Sequence, residues 1–548
     1  MSKRWGYVVI TVTFLSLVAL ALTLAQQTAN NTSACSGVSD PVGNWGYCNG
    51  NFASFSAASS ESLAEDQTIN PIPGHMSPLP LSDLFYPGNT IKFIADYQAW
   101  FCTTGPPGPY DGHQVCTAAN EGSHKMIGYS ENNPATIAAQ VSFMQSIGIS
   151  AISPDWYGTS TSQSFLQNTT LAIGNYLATL PGHLFKLFIM LDGGALKAGT
   201  SSLAGCPQNG TDQTTCLINN INADLVYIQN KWGQTGYYLQ DSTGANLVSF
   251  FVTQGGWTGG TDWTTIMNAV CLNINGFSPP MKLIKETNTS ETCFQGAYSW
   301  VAPPVYSNTT DGGFGCGSAG CMQYCNDSTT CGASYLDTFY TNGRTSGRVI
   351  MGETIKGFNW ANASWGSQQK IVAQQCGQTL LMSAAKPAAN GWGTSHQLPF
   401  VQLVTWNDYE EGTEQETGIL NCYSISETLS SYTIHWSLAA NDSHATLATI
   451  HHYTVWRADP AGNLTVVANN VCAGNVSGCS NSYNLMGLLP AGTWRIYTEM
   501  VGMPLIIDQV SNGVTVTTAP PVSAPPGAVY WFFAKLRDVL GGGHALGS

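Results

Sequence analysis

Five carboxylates, Asp408, Glu410, Glu411, Glu414 and Glu416, crowd the stretch VTWNDYEEGTEQETGI at 404–419. The chain around them is poor in charge. Asp, Glu, Lys and Arg make up 9% of its 548 residues, against about 25% in an average globular protein. No Lys or Arg lies within the stretch, and the apolar run LPFVQLVTW leads straight into it. Two neighbouring carboxyl groups suit the cleavage of an acetal: one protonates the departing oxygen, and the other activates water or attacks the carbon. Asp408 and Glu411 are the candidate pair. Their spacing puts them on opposite sides of an extended chain but on one face of a tight or helical turn. Repulsion within such a cluster keeps a proton on at least one member, as a general acid requires. A plainer role exists for the same residues at a helix start, where Asp408 caps and acids complement the dipole. For Glu410, Glu414 and Glu416 the sequence favours capping or a solvated surface.

A buried strand has to deliver these acids, and the sequence offers eight candidates. They are IKFIADYQAW (91–100), ISAISPDWYG (149–158), LFKLFIMLDGG (184–194), LVSFFVTQGG (247–256), MKLIKE (281–286), GAYSWVAP (296–303), RVIMGETIKG (348–357) and FVQLVTWNDYEEG (400–412). Helical periodicity fills several gaps: Ile137, Val141 and Met144 behind Pro134; Leu217, Ile221, Leu225 and Ile228 within 214–231; and a similar pattern over 368–386. Apolar strands separated by helices predict an α/β fold, a closed (β/α)8 TIM-type barrel over 86–423. The stretch between the fifth and sixth runs is too short for a helix of its own.

Such a barrel gathers its strand ends on one face, where sites form. The first run ends with Asp96, Tyr97 and Trp100, the second with Asp155, Trp156 and Tyr157, and the third with Asp192. Gln254 and Trp257 follow the fourth, and Trp300 lies in the sixth. The seventh holds Glu353 and Lys356, and the eighth Trp406, Asn407, Asp408 and Tyr409. His124 precedes a loop on the same side. Aromatic rings stack on the C–H faces of sugars while carboxylates and amides bond hydroxyls, so this mixture suits a neutral glycan. Asp155 and Asp192 read equally as substrate contacts or structural hydrogen-bonding groups, and part of the aromatic set reads as core.

The formal charge is −14, and removing residues 1–25, whose only charges are Lys3 and Arg4, leaves −16. That argues against nucleic acid, anionic polymers and anionic lipid headgroups as partners and for a neutral one. Two basic residues, an apolar run and a small-residue exit near Ala25 form a secretory signal or an uncleaved anchor, and either one exports the body of the chain. Sixteen cysteines agree with an oxidising compartment. Proximity suggests the pairs Cys35–Cys48, Cys102–Cys116, Cys206–Cys216, Cys271–Cys293 and Cys472–Cys479. Cys316, Cys321, Cys325 and Cys331 lack paired C-x-x-C spacing, which favours two disulfides over zinc. Sequons such as Asn168, Asn441 and Asn475 are candidate glycan sites. Residues 26–85 read as a loop-rich extension. Alternating strands over 424–517 read as a small all-β sandwich of immunoglobulin or fibronectin-III type. Residues 518–548 read as a Pro-rich linker and tail.

WNDYEEGTEQ resembles the eighth-strand motif of the glycoside hydrolase family 71 and family 99 group, the α-1,3-glucanases (mutanases) and endo-α-mannosidases. It joins the W-N-D-Y of the first to the E-G-T of the second. DYQAWF, the stretch HKMIGYSENNPATIAAQVSFMQSIGISAISPDWYG and the Gly-rich segment after Met351 extend the resemblance over about residues 90–420. It implies acid and base roles for Asp408 and Glu411. Family 99 has Glu where Asp408 stands, and the shorter side chain changes its reach, so the family 71 roles carry over more directly. The expectation is an exported, monomeric hydrolase of internal α-linkages in a neutral polysaccharide, α-1,3-glucan first and α-mannan next. No cofactor or metal is expected: H-E-x-x-H, P-loop and dinucleotide patterns are absent from the sequence. The rival reading is a non-catalytic carbohydrate-binding or adhesion protein on the same scaffold.

Overall fold

The computed structural model describes residues 76–100, 131–159, 164–193, 211–251, 263–286, 294–300, 332–359, 371–372, 374–408, 413–416, 418–459 and 464–518, with the short pairs 47–48 and 51–52. Eight parallel strands form the barrel: β1 (Lys92–Tyr97), β2 (Ile149–Trp156), β3 (Ile189–Asp192, preceded by Lys186–Leu187), β4 (Asn246–Phe251), β5 (Met281–Glu286), β6 (Gly296–Tyr298), β7 (Val349–Thr354) and β8 (Phe400–Leu403). Each pairs with its neighbours in chain order, and β1 pairs with both β2 and β8, which closes the ring. The strands read as continuous apolar runs because water reaches neither face. β8 is buried along its whole length, as is β7 apart from Val349.

Six described helices lie between the strands: α1 (Pro134–Ser146), α2 (Ser164–Thr179), α3 (Thr211–Lys231), α4 (Trp263–Ile274), α5 (Gly332–Thr345) and α6 (Gln378–Ala389). α1 begins where the sequence signals it. Pro134 occupies the first turn, and the Asn133 side chain accepts the Ala135 N–H at 2.9 Å. The stripe Leu217, Ile221, Leu225 and Ile228 of α3 is wholly buried against the barrel. α6 starts ten residues later than the periodicity over 368–386 predicts. The left-handed backbone of Gln375, Cys376 and Gly377 interrupts the segment there. Between β5 and β6, residues 287–293 lie outside the described set.

After the barrel come two antiparallel sheets. One holds β9 (Tyr423–Ser430), β10 (Thr433–Ala440) and β13 (Ser482–Asn484). The other holds β11 (Ile450–Ala458), β12 (Leu464–Val471), β14 (Gly492–Gly502), β15 (Gln509–Val510) and β16 (Val514–Thr518). Ile425, Ile434, Trp436, Tyr453, Val455, Ile496 and Met500 fill the core between them. Barrel and sandwich are stitched together. Ile419 donates its N–H to Leu505 and accepts that of Ile507, and Cys376–Cys422 links the start of α6 to the chain entering β9. That bridge spans 46 residues and falls outside the proximity pairs, whereas Cys472–Cys479 is formed as proximity suggests. Each remaining proximity pair has a member outside the described residues, as do the Cys316–Cys331 cluster, the signal segment and the tail. Among the described residues no helix is long and apolar enough to cross a membrane.

Candidate active site

Strand register decides which residues face the barrel interior. The Trp156 ring lies 5.6 Å from that of Tyr227 in α3 and 5.5 Å from Trp232, so Trp156 faces the helix layer. Alternation then turns Asp155 and Ser153 inward. Asp96 is in register with Ser153, and Asp155 with Met190, two residues before Asp192. Glu353 aligns with Gln402, which aligns with Ile94, two residues before Asp96. Partners in register share a face, so Asp96, Asp155, Asp192 and Glu353 all point into the mouth at the C-terminal ends of their strands.

Asp408 completes the set from the loop after β8. All five acids are buried or nearly so, and their mutual repulsion is strong. Burial pushes the Asp155 carboxyl well above the usual carboxylate range, and the charges of Asp192, Asp96 and Asp408 push it further. Asp96 is raised by burial and then by Glu353. It is fully buried, and among the described residues neither of its carboxylate oxygens has a hydrogen-bond partner. Asp96 and Asp155 therefore hold protons at a pH where isolated carboxylates have lost them.

Glu353 is set by its backbone, since its N–H donates to the Tyr340 hydroxyl at 3.1 Å. Residue 352 is glycine because a Cβ there would collide with that same hydroxyl. Burial and the Glu353 charge hold the Tyr340 proton firmly in place.

The segment from Thr405 to Glu416 is tied down at several points. The Thr405 hydroxyl accepts the Asp408 N–H at 2.8 Å, and the Asp408 carbonyl accepts the Thr413 N–H at 3.1 Å. The two threonine hydroxyls meet at 2.9 Å. Glu414 pairs with Lys356 at 2.7 Å, with both side chains fully buried. The Gln415 amide donates to the Thr354 carbonyl at 3.0 Å. Gln140 of α1 donates to Glu416 at 2.7 Å and accepts the Trp406 indole N–H at 2.7 Å. The capping or solvated role expected for Glu414 and Glu416 is therefore corrected. Both are interior tethers, and no helix begins among the described residues of this segment.

The aromatic candidates divide. Trp100 and Tyr157 stand just past β1 and β2 with their rings edge-on at 5.9 Å, and Trp300 packs edge-on to Tyr298 at 6.2 Å. Trp156 is core, its indole N–H reaching Asp224 at 3.3 Å. Trp406 is core too, packed 5.9 Å from Phe143 of α1. The Tyr97 hydroxyl bonds Glu131, and burial with the Glu131 and Glu416 charges holds its proton. The Asn407 side chain accepts the Gln98 N–H at 2.8 Å and donates to the Gln98 carbonyl at 3.1 Å and to Glu131. His124, Gln254, Trp257, Tyr409 and Glu411, with Glu410, lie outside the described residues. Sequence reasoning passed over Glu131, Gln140 and Gln98. Nothing local marks them, because their partners are distant in the chain. Among the described residues no three His, Cys, Asp or Glu side chains are arranged to hold a metal ion.

No family model matches the chain, and no curated protein matches it. Among solved structures, the GH99 endo-alpha-mannosidase from Bacteroides thetaiotaomicron with BIS-TRIS-propane is 12% identical at a TM-score of 0.36, over 62% of this chain and 90% of its own. A Cellulomonas fimi endo-beta-1,4-mannanase double mutant is 9% identical at 0.29, over 83% and 98%. Likeness this distant carries no argument about substrate or reaction.

Proposed function

We propose that this chain is an exported glycoside hydrolase that cleaves internal α-linkages of a neutral polysaccharide, α-1,3-glucan first and α-mannan next. Asp408 and Glu411 act as the acid and base. The proton passes from the acid to the departing glycosidic oxygen, and water adds to the anomeric carbon as its own proton goes to the base. The observation that carries this reading is the convergence of Asp96, Asp155, Asp192, Glu353 and Asp408 on one mouth, where Asp155 feels three other acids. Trp100 and Tyr157 at the rim supply ring faces for a sugar. The family 71-like W-N-D-Y motif supports the choice of pair, and the basic–apolar start with the disulfides supports export.

The test is release of reducing ends from α-1,3-glucan and α-mannan. Asp408→Asn and Glu411→Gln should each abolish release while leaving polymer binding intact. Full turnover in both variants moves the chemistry to Asp155 or Asp192. A wild-type chain that binds polymer and releases nothing is a carbohydrate-binding protein, and the hydrolytic reading falls.

A further inference from the structure

The geometry points to Asn407 as a positioning residue that fixes Asp408 by standing in for a missing strand partner of Gln98. This role builds on the assignment of Asp408 in the proposed function. The β1–β8 ladder has its last register pair at Leu403 and Ala95, and the Trp406 N–H then reaches the Asp96 carbonyl at 2.7 Å. Beyond that point the backbone of Gln98 needs a donor and an acceptor. The Asn407 amide supplies both, at 2.8 and 3.1 Å, which is the bond pair a neighbouring strand would make. Its other N–H goes to Glu131. Asn407 and Glu131 are fully buried and Gln98 nearly so. With both N–H groups committed inside the protein, the amide has no donor left for a sugar hydroxyl.

One residue later, the N–H and carbonyl of Asp408 are held by Thr405 and Thr413. The chain is therefore clamped on both sides of the Asp408 Cα. Asn is suited to the first clamp by chemistry. Asp has the acceptor but no donor and sets a second charge beside Glu131, Ala has neither, and Gln is one methylene too long. A clamp of this kind fixes the direction of the Asp408 carboxyl before substrate arrives, and displacement of about 1 Å at a reacting group costs on the order of a hundredfold in rate.

The test compares Asn407→Ala, Asn407→Asp and Asp408→Asn with the wild type on a cleaved polysaccharide. In Asn407→Ala, kcat falls on the order of a hundredfold while KM stays within about threefold. Exchange of the Gln98 amide hydrogen quickens about tenfold in the same variant. Asn407→Asp gives a pH signature that general destabilisation would not. A protonated carboxyl restores a donor and an acceptor, so its kcat relative to wild type recovers at least about tenfold from about pH 7 to about pH 4.5, while Asn407→Ala shows no recovery. If Asn407→Ala does not fold, Asn407→Asp across pH makes the same comparison. A raised KM with unchanged kcat, or Asn407→Asp without acid recovery, overturns the proposal. An inactive Asp408→Asn beside a fully active Asn407→Ala overturns this role alone. Full turnover in Asp408→Asn overturns the assignment of Asp408 and this role with it.

Discussion

Replacing Lys356 by Met tests how the loop after β8 is held. Lys356 and Glu414 meet at 2.7 Å with no exposure of either side chain, and Glu414 lies in the segment that returns from Asp408. Removing the cation strands a carboxylate in the interior. Breaking a buried pair from one side costs about 3–5 kcal/mol, well above the value of an exposed pair. At about 2 °C per kcal/mol, the low end for a large domain, Tm falls by about 6–10 °C. The double variant Lys356→Met/Glu414→Leu removes both charges and fills the volume, so it regains most of the loss, since apolar replacement of a buried pair is near neutral or stabilising. Thermal melts of the three proteins at one pH are the assay. A single variant within about 1 kcal/mol of wild type, or a double variant no better than the single, refutes the reasoning.

Three further outcomes follow from the same interior. Asp96 has its proton held by burial and by Glu353, so its favourable contribution is complete below the unfolded pKa of about 3.9 and is lost as pH rises through the raised folded value. Asp96→Asn is therefore more stable than wild type by about 1–3 kcal/mol near neutrality and equal to it at strongly acid pH; the same difference at both pH values in denaturant titrations would count against it. Asp192→Asn removes a charge that raises Asp155, so a kcat/KM limb set by Asp155 moves to lower pH, and an unmoved limb in the pH–rate profile separates the two groups. Trp156→Ala costs about 3–5 kcal/mol as a core truncation and leaves KM unchanged for the fraction that folds; a large rise in KM at undiminished stability would return Trp156 to the sugar.

The barrel was legible because its signal is local. Each apolar run became a strand, and the stripe from Leu217 to Ile228 became the buried face of α3. The ends of the runs placed Asp96, Asp155, Asp192 and Glu353 at the mouth by the same logic. The direction of each side chain was not legible. A strand buried on both faces loses the polar–apolar alternation that marks inside from outside, so Asp155 and Trp156 read alike until the Trp156 ring met Tyr227 and Trp232. The start of α6 was missed because left-handed residues cut a pattern that otherwise looked helical.

The amino-acid order alone determined where strands end and which of them end in acid, since both follow from hydrophobic runs a few residues long. Only the tertiary structure decided what the crowded acids do. Glu414 finds Lys356 from 58 positions away and Glu416 finds Gln140 from 276. A charge that looks solvated in a list of residues becomes an interior tether when folding brings its partner, and a partner that distant leaves no mark on the neighbouring sequence.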